Sequence, residues 1–199
     1  TLTLKDAAGQ PVAIPADTSG SYAVYEFLTA PGTYTYEARD TVRGVDYQIG
    51  TGTLTVTEGS GEQTFELYLV YVYAVEIDWT ADDFTTEVKA ADGTVMTPGE
   101  PHKFASYVGY PYLMAPGTYT WSVQPSEARA AEGYQASQPT SQKLTGSASW
   151  SVTLPQIVST DFVVPKGGRV VMHSIPATTY GQGALVLSLI HISEPTRRS

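Results

Sequence analysis

The feature that most constrains the fold of this chain is a short motif that occurs twice. Residues 27–38 and 112–123 share the run Ala-Pro-Gly-Thr-Tyr-Thr followed by an aromatic residue, at an offset of 85 residues. Pro presets φ for a turn and Gly permits a positive φ, so the run predicts a tight turn that leads into a strand. We therefore expect two similar units in tandem.

The strand that follows each turn carries its large aromatic residues at alternate positions. Side chains along a strand point to opposite faces in turn, so Tyr34 and Tyr36 share one face in the first copy. Tyr119, Trp121 and Val123 form the equivalent row in the second copy. We expect these rows to be the cores of small sandwiches, with the polar atoms of the aromatic residues reaching an edge or a loop. The alternative is a row of rings that stacks on a ligand.

The order of strand and turn signals around the motif is also repeated. Each copy is expected to begin with a strand, a tight turn and a second strand, and to continue after the motif with an irregular stretch near a Gly and a Tyr. Two more strands then close each copy, over residues 51–56 and 63–70 in the first, and 141–144 and 147–154 in the second. Turn signals at this spacing, without a helical period, predict an all-β chain of β-sandwich repeats.

These signals divide the chain of 199 residues into four parts. The predicted parts are a first β-sandwich repeat over 1–73, a second over 74–157, the truncated start of a third β unit over 158–186, and a tail over 187–199. Each repeat is close to the lower size limit for an independent core.

The tail has an unusual sequence. Residues 187–197 read Leu-Ser-Leu-Ile-His-Ile-Ser-Glu-Pro-Thr-Arg, which resembles the translated adapter of transposase-based sequencing libraries. This resemblance implies a metagenomic gene fragment whose tail is an artefact of sequencing. The segment 187–192 nevertheless alternates apolar and polar residues, as a strand does.

Charge and composition narrow the classes of function. The formal net charge of −9 disfavours nucleic acid and anionic lipid surfaces as partners. The chain has no Cys, so it has no disulfides, thiol nucleophiles or Cys-based metal sites. No uninterrupted apolar run approaches the roughly 20 residues of a membrane helix. We therefore predict no nucleic-acid partner and no membrane insertion in this fragment.

The histidines give no sign of catalysis or of a metal site. His102 lies in a Pro-rich segment, His173 in a predicted hairpin, and His191 in the adapter-like tail. Neither of the first two has a second His or Cys at the spacing of metal ligands, and we predict that both lie on the surface. Motifs for nucleophilic catalysis or phosphate binding are also absent from the sequence. We predict no enzymatic activity and no cofactor.

An acidic group near the start of the second repeat is the candidate metal site. It comprises Asp78, Asp82, Asp83 and Glu87. Ca²⁺ takes several hard oxygen ligands, and a junction between sandwich repeats is a suitable place for one. The spacing matches no EF-hand loop, and a solvated acidic linker is the favoured alternative.

Tyr68, Tyr107 and Tyr110 form the candidate binding patch. Aromatic residues on an outward face are suited to contact with a glycan or a protein. Isolated aromatic residues on a surface are the alternative interpretation.

The repeated motif, with a Gly-Tyr pair and a Thr/Val-rich strand pair after it, resembles the carboxypeptidase-regulatory-like, PEGA-like and CnaB-like modules of bacterial surface proteins. The resemblance covers nearly all of residues 1–157 and implies an immunoglobulin-like or transthyretin-like sandwich used as a stalk, spacer or adhesion module. CnaB-like modules often carry a Lys–Asn isopeptide bond, which cannot form here because the chain contains no Asn. A Lys–Asp variant from Lys5 or Lys89 finds no Asp at an evident partner position.

These observations leave three hypotheses of function ahead of a fourth, a purely enzymatic role. The first is a structural spacer or adhesion module of an exported, cell-wall-associated protein, in contact with neighbouring domains of the same parent chain. The second is a module that binds a glycan or a host or matrix protein. The third is an accessory domain of an extracellular hydrolase. The extracellular or cell-surface localisation follows from the resemblance alone.

Overall fold

The computed structural model describes residues 1–14, 16–17, 24–25, 28–76, 79–157, 170–174 and 187–192. Most of the described residues lie in strands, which confirms the all-β prediction. The strands are β1 (Leu2–Lys5), β2 (Pro11–Val12), β3 (Ala16–Asp17), β4 (Val24–Tyr25), β5 (Gly32–Val42), β6 (Val45–Val56), β7 (Tyr68–Ala74), β8 (Phe84–Ala90), β9 (His102–Lys103), β10 (Val108–Met114), β11 (Gly117–Pro125), β12 (Thr140–Leu144), β13 (Ala148–Val152), β14 (Val170–Ser174) and β15 (Leu187–Ile192). A 3-10 turn (Ala81–Asp83) and one short helix, α1 (Glu127–Ala131), complete the described secondary structure.

The first copy of the motif lies in a sheet of order β2-β1-β5-β6, here called the N-terminal sheet. Its strands β5 and β6 form one long hairpin that turns at Arg43 and Gly44. Both residues have a positive φ, 51° and 78°, as a two-residue type I′ turn requires. The prediction of an irregular stretch near Gly44 and Tyr47 was therefore wrong, because this turn lets the two strands pair without a break in the chain.

The second copy lies in a pair of sheets that bury one core between them. One sheet, the β7 sheet, has the order β13-β7-β10-β9, and the other, the β8 sheet, has the order β12-β11-β8. Strands β7 and β13 are parallel, and the remaining pairs in both sheets are antiparallel. We call the pair the two-sheet unit. Its buried core is Val70, Val72, Ala74, Trp79, Phe84, Val88, Val108, Tyr112, Met114, Tyr119, Trp121, Val123, Leu144, Trp150 and Leu154.

Strand β7 differs from its prediction. The sequence predicted a strand over residues 63–70 that closes the first repeat, but the strand begins at Tyr68 and pairs with β10 and β13. The physical reason is the alternation of Val70, Val72 and Ala74, which are all buried in the core of the two-sheet unit. Strand β7 thus crosses the boundary predicted after residue 73.

The N-terminal sheet and the β8 sheet repeat the same strand pairing. Leu4 of β1 lies opposite Tyr36 of β5, and Val88 of β8 lies opposite Trp121 of β11. All four side chains are buried. The predicted core role of the aromatic rows is therefore confirmed in both copies, and the sequence repeat corresponds to a repeated strand arrangement.

One end of the two-sheet core is closed by Trp79. Its ring centroid lies 5.6 Å from that of Phe84 and 5.2 Å from that of Tyr134. The guanidinium carbon of Arg129 lies 5.7 Å from the same indole ring, within the range of a cation–π contact. Trp79 is buried and caps this end of the core.

Helix α1 is an element that the sequence did not predict. Its N-cap is Ser126, whose side-chain oxygen accepts a hydrogen bond from the backbone N–H of Arg129 at 3.3 Å. Ser at the N-cap and the Ala residues that follow favour a helix here, although five residues are too few to show a helical period.

The part of the chain after residue 157 is described only in two strands. β14 and β15 pair antiparallel, so residues 187–192 of the adapter-like tail lie in a strand, as their alternation allows. The turn predicted within the third unit and residues 193–199 of the tail lie outside the described residues.

Candidate functional site

The repeated motif forms the same hydrogen bond in both copies. The hydroxyl of Tyr34 donates to the carbonyl oxygen of Ala30 at 2.6 Å, and the hydroxyl of Tyr119 donates to that of Ala115 at 2.8 Å. In each copy the Tyr ring is buried while its hydroxyl closes the Ala-Pro-Gly turn that precedes the strand. The motif thus has a structural role in both copies, because its Tyr fixes the turn to the core.

The two copies meet at a junction made partly of backbone. The N–H of Glu100 donates to the carbonyl oxygen of Gln48 at 2.8 Å, and the Glu100 carboxylate accepts from the N–H of Gln48 at 3.4 Å. Beside them the N–H of Gly99 donates to the carbonyl oxygen of Pro111 at 2.7 Å. A Cβ on Gly99 would overlap the carbonyl oxygen of Gln48, so only Gly allows the segment after residue 96 to lie this close to β6.

An apolar contact lies next to this backbone contact. Leu113, on the face of β10 that points away from the two-sheet core, packs with Leu4, Tyr34 and Tyr36 in the core of the N-terminal sheet. It lies directly over Gly50 of β6, where an added Cβ would come within 2.5 Å of the Leu113 Cβ. A Gly inside a strand often marks such a close approach, and here it makes room for a residue of the other copy.

A column of stacked rings extends from the junction across the outer face of the β7 sheet. In order, its members are Tyr47, His102, Phe104, Tyr107 and Tyr73. Neighbouring ring centroids are 4.4, 4.2, 4.5 and 4.1 Å apart, and each pair is within 31° of parallel. Offset stacking of this kind stabilises beyond the burial of area, so the column connects β6, β7 and the segment around β9.

His102 lies inside this column. It is buried, so the prediction that it lies on the surface was wrong. The Pro-rich segment folds back onto β10, where β9 pairs with it, and the imidazole is held between Tyr47 and Phe104. Its Nδ1 has no hydrogen-bond partner within the described part of the chain, so stacking is what holds the ring. The adjacent Tyr71 has its pKa raised, mainly by burial and also by the charge of Asp40.

The structure does not bring the predicted aromatic patch together. Tyr107 is in the ring column, whereas Tyr68 and Tyr110 pack against the core of the two-sheet unit. The hydroxyl of Tyr110 donates to the carbonyl oxygen of Ala81 at 2.7 Å. The three rings therefore do not share one outward face.

The acidic residues of the predicted metal site have other partners. Asp83 accepts from Nε of Arg129 at 2.8 Å and from the backbone N–H of Thr80, and Glu87 lies 2.7 Å from Nζ of Lys89. The bond from Arg129 is the main cause of a lowered pKa at Asp83. Asp82 is exposed, and Asp78 lies outside the described residues. Across the described ranges, no three His, Asp or Glu residues are grouped in a way that could hold a metal ion.

The residues that sequence reasoning missed are Gly50, Gly99 and Leu113. The signal that was available is Gly50 inside a strand-like run, since Gly in a strand favours close approach of another backbone or side chain. The residue that approaches could not be predicted, because it lies more than 45 residues away along the chain.

No family model matches this chain, and no curated protein matches it. Within the described ranges, no helix combines the length and the apolar character that a membrane crossing needs.

Proposed function

We propose that this chain is a non-catalytic structural module of an exported bacterial surface protein, in which two consecutive repeats act as a rigid spacer between neighbouring domains. The observation that carries the proposal is the junction. It combines backbone hydrogen bonds at Gln48 and Glu100, the insertion of Leu113 over Gly50, and the ring column that begins at Tyr47. Contacts of these three kinds resist both bending and twisting between the repeats.

The strand order supports one of the two sandwich types that the sequence left open. In constant-type immunoglobulin domains the first two strands lie next to each other in one sheet. In the two-sheet unit the first strand, β7, lies in one sheet beside the last strand, β13, and the second strand, β8, lies in the other sheet. This order departs from the constant immunoglobulin type and favours the transthyretin-like type for the two-sheet unit.

The ionisable groups support a non-catalytic role. Most of the described groups with a shifted pKa are buried Tyr hydroxyls or members of ion pairs, such as Arg129 with Asp83 and Arg39 with Asp46. Catalytic sites instead gather several groups of mutually shifted pKa in one cleft. A role in spacing and presentation needs none of this chemistry.

The rigidity of the junction is tested by measuring a distance across it. Because the chain has no Cys, Thr55→Cys and Lys143→Cys, both at exposed positions, give two unique spin labels, one in each repeat. We expect one narrow distance distribution by pulsed electron–electron double resonance. Gly99→Ala should broaden it, whereas the control Gly146→Ala, which adds a Cβ in open space, should not. A broad distribution in the parent chain would contradict the proposal.

A further inference from the structure

The closest contact in the ring column is between two tyrosines. The ring centroids of Tyr73 and Tyr107 lie 4.1 Å apart, and the ring planes are within 21° of parallel. Among the residues that the structure describes, no other two Tyr rings stack on each other. Stacking itself does not require a hydroxyl, because Phe104 stacks on Tyr107 in the same column.

The two hydroxyl groups lie near each other. Burial raises the pKa of Tyr107, and the charge of the neighbouring Tyr73 raises it further. Because the hydroxyls are close enough to interact, the ring carbons beside them, the Cε atoms, are also neighbours. These are the carbon atoms that carry much of the unpaired electron when a phenol is oxidised to a phenoxyl radical.

Both rings can be reached from outside and one of them can turn. Tyr73 and Tyr107 are each partly exposed on the outer face of the β7 sheet. Tyr107 lies in the turn between β9 and β10, where its carbonyl oxygen accepts a hydrogen bond from the N–H of Phe104 at 2.8 Å. A bond between two Cε atoms joins ring edges, so the stacked rings must rotate. Tyr107 can rotate without displacing a strand, because it lies outside the strands.

We propose that Tyr73 and Tyr107 form a modification site, at which one-electron oxidation joins the two rings as an intramolecular dityrosine. The oxidant is hydrogen peroxide acting through a haem peroxidase. Each hydroxyl loses one electron and one proton, and the two phenoxyl radicals form a carbon–carbon bond between their Cε atoms. Each Cε hydrogen then moves as a proton to the oxygen of its own ring, which restores both hydroxyls. The peroxide takes up the two electrons and two protons and becomes two water molecules.

The column makes this product specific. Tyr47, at the opposite end of the column, is separated from the pair by the rings of His102 and Phe104. Tyr71 meets the column edge-on, with its ring 5.1 Å from that of Phe104 and at 87° to it. Neither of these tyrosines stacks on another phenol, so the bond is expected between residues 73 and 107.

The bond acts as a covalent staple in a chain that cannot form disulfides, because it has no Cys. It joins β7 to the turn before β10 and closes the loop of residues 73–107, which contains Trp79 and β8. A cross-link of this kind stabilises mainly by limiting the freedom of the unfolded chain. The inference goes beyond the spacer role, since it concerns a modification within the second copy and does not depend on the rigidity of the junction.

The test treats the full chain, at high dilution, with a haem peroxidase and a limiting amount of hydrogen peroxide. We expect a monomer with dityrosine fluorescence whose mass is lower by two hydrogen atoms. Proteolysis and mass spectrometry should recover a cross-linked peptide pair that joins residues 73 and 107. The melting temperature of the coupled monomer should exceed that of the untreated chain by about 5 °C or more.

Two variants locate the bond. Tyr107→Phe keeps a ring in the column but removes one phenol, and it should lower the yield of modified monomer roughly tenfold or more, because coupling loses its positioned partner. Tyr68→Phe is the matched control, since Tyr68 also lies in β7 and is partly exposed but packs against the core of the two-sheet unit. It should leave the yield unchanged. Circular dichroism of both variants checks that the fold is retained.

Several outcomes would overturn the proposal. An undiminished yield in Tyr107→Phe, or peptide pairs that join other tyrosines, would place the coupling elsewhere. Dimers without modified monomer would show that the stacked pair does not react. The same product at the same yield in urea would show that the fold does not direct the coupling, and an unchanged melting temperature would exclude a staple. None of these outcomes bears on the distance measured across the junction.

Discussion

The same motif lies in two different environments in this molecule. In the two-sheet unit, the row of Tyr119, Trp121 and Val123 faces a complete second sheet, and the core between the sheets is closed. In the N-terminal sheet, the equivalent row of Tyr34 and Tyr36 is buried by fewer partners, one of which is Leu113 from the other copy.

The difference separates what a local sequence controls from what it does not. The motif forms the same turn, the same Tyr hydrogen bond and the same strand in both copies. Whether that strand lies in a closed core depends on partners far along the chain, here β7 and β13. Most of the stability from burial is therefore expected in the two-sheet unit, where the apolar partners are present.

The largest expected effect contrasts Trp150 with Phe65, its counterpart at the motif's offset of 85 residues. Trp150→Ala should lower the free energy of unfolding by about 3–5 kcal/mol, because it leaves a cavity in a closed core. Phe65→Ala should lower it by less than about 1 kcal/mol, because Phe65 is 43% exposed and lies outside both buried clusters. Urea unfolding followed by far-UV circular dichroism measures both values. Similar losses for the two variants would mean that the first copy has a closed core as well.

A second contrast tests the contribution of Leu113. Leu113→Ala should destabilise the N-terminal sheet by about 2 kcal/mol, because the Leu side chain is part of that sheet's core. Its counterpart at the motif's offset, Leu28, is fully exposed, so Leu28→Ala should have almost no effect.

The readout for Leu113→Ala uses the position of the Trp residues. Trp79, Trp121 and Trp150 are the only Trp residues of the chain and all lie in the two-sheet core, so Trp fluorescence reports on that unit alone. We expect the circular dichroism transition to move to lower urea while the Trp transition stays in place. A shift of the Trp transition by the same amount would show that the two regions unfold as one.

The ion pair of Asp83 with Arg129 gives a smaller effect that depends on pH. Asp83→Asn should cost about 1.5 kcal/mol at pH 7, because it removes a charge-assisted hydrogen bond in a partly buried site. The pKa of Asp83 is lowered in the folded state. Its contribution is thus complete above the unfolded pKa of about 3.9 and is lost as pH falls through the lowered value. Melting temperatures of parent and variant should therefore converge in acid; a constant difference down to pH 2 would contradict this role.

Tyr112 gives the smallest effect, and its contribution to stability is lost at alkaline pH, whereas that of Asp83 is lost in acid. Its hydroxyl lies 2.8 Å from Oγ1 of Thr86, across the core, so Tyr112→Phe should cost about 1 kcal/mol. Burial raises the pKa of Tyr112 to about 12. The neutral hydroxyl is thus favoured in the folded state. Its contribution to stability is complete below the unfolded pKa of about 10 and is lost as pH rises through the folded pKa of about 12. Ultraviolet titration should show one fewer late-ionising Tyr in the variant; an unchanged titration would place Tyr112 outside the core.

Much of this fold follows from local sequence pattern, but the long hairpin and the register of β7 do not. The alternation around Tyr34 and Tyr119 predicted the buried rows, and turn chemistry predicted an all-β chain. The long hairpin at Arg43 was missed because a non-Gly residue with positive φ gives little signal in a sequence. The register of β7 was missed because residues 63–74 fit two alternative strands, and the choice between them was made by burial against β10 and β13.

The candidate site was less predictable than the fold. Sequence reasoning selected Tyr68 and Tyr110 as exposed rings, but alternation along β7 and β10 points both toward the core. The junction depends on contacts between β6 and β10, which are distant in sequence. Such contacts come from the packing of two folded sheets, and a pattern within one strand does not encode them.

Hydrogen–deuterium exchange in the native state measures the difference between the two copies most directly. The equivalent strands β5 and β11 carry the same motif, so intrinsic exchange rates are similar and differences report on structural opening. We expect amides of β11 to exchange only through the highest-energy opening of the chain and amides of β5 to exchange through a lower-energy opening. Equal protection of the two strands, or greater protection of β5, would contradict the conclusion that, among the described residues, the second copy has the more completely closed core.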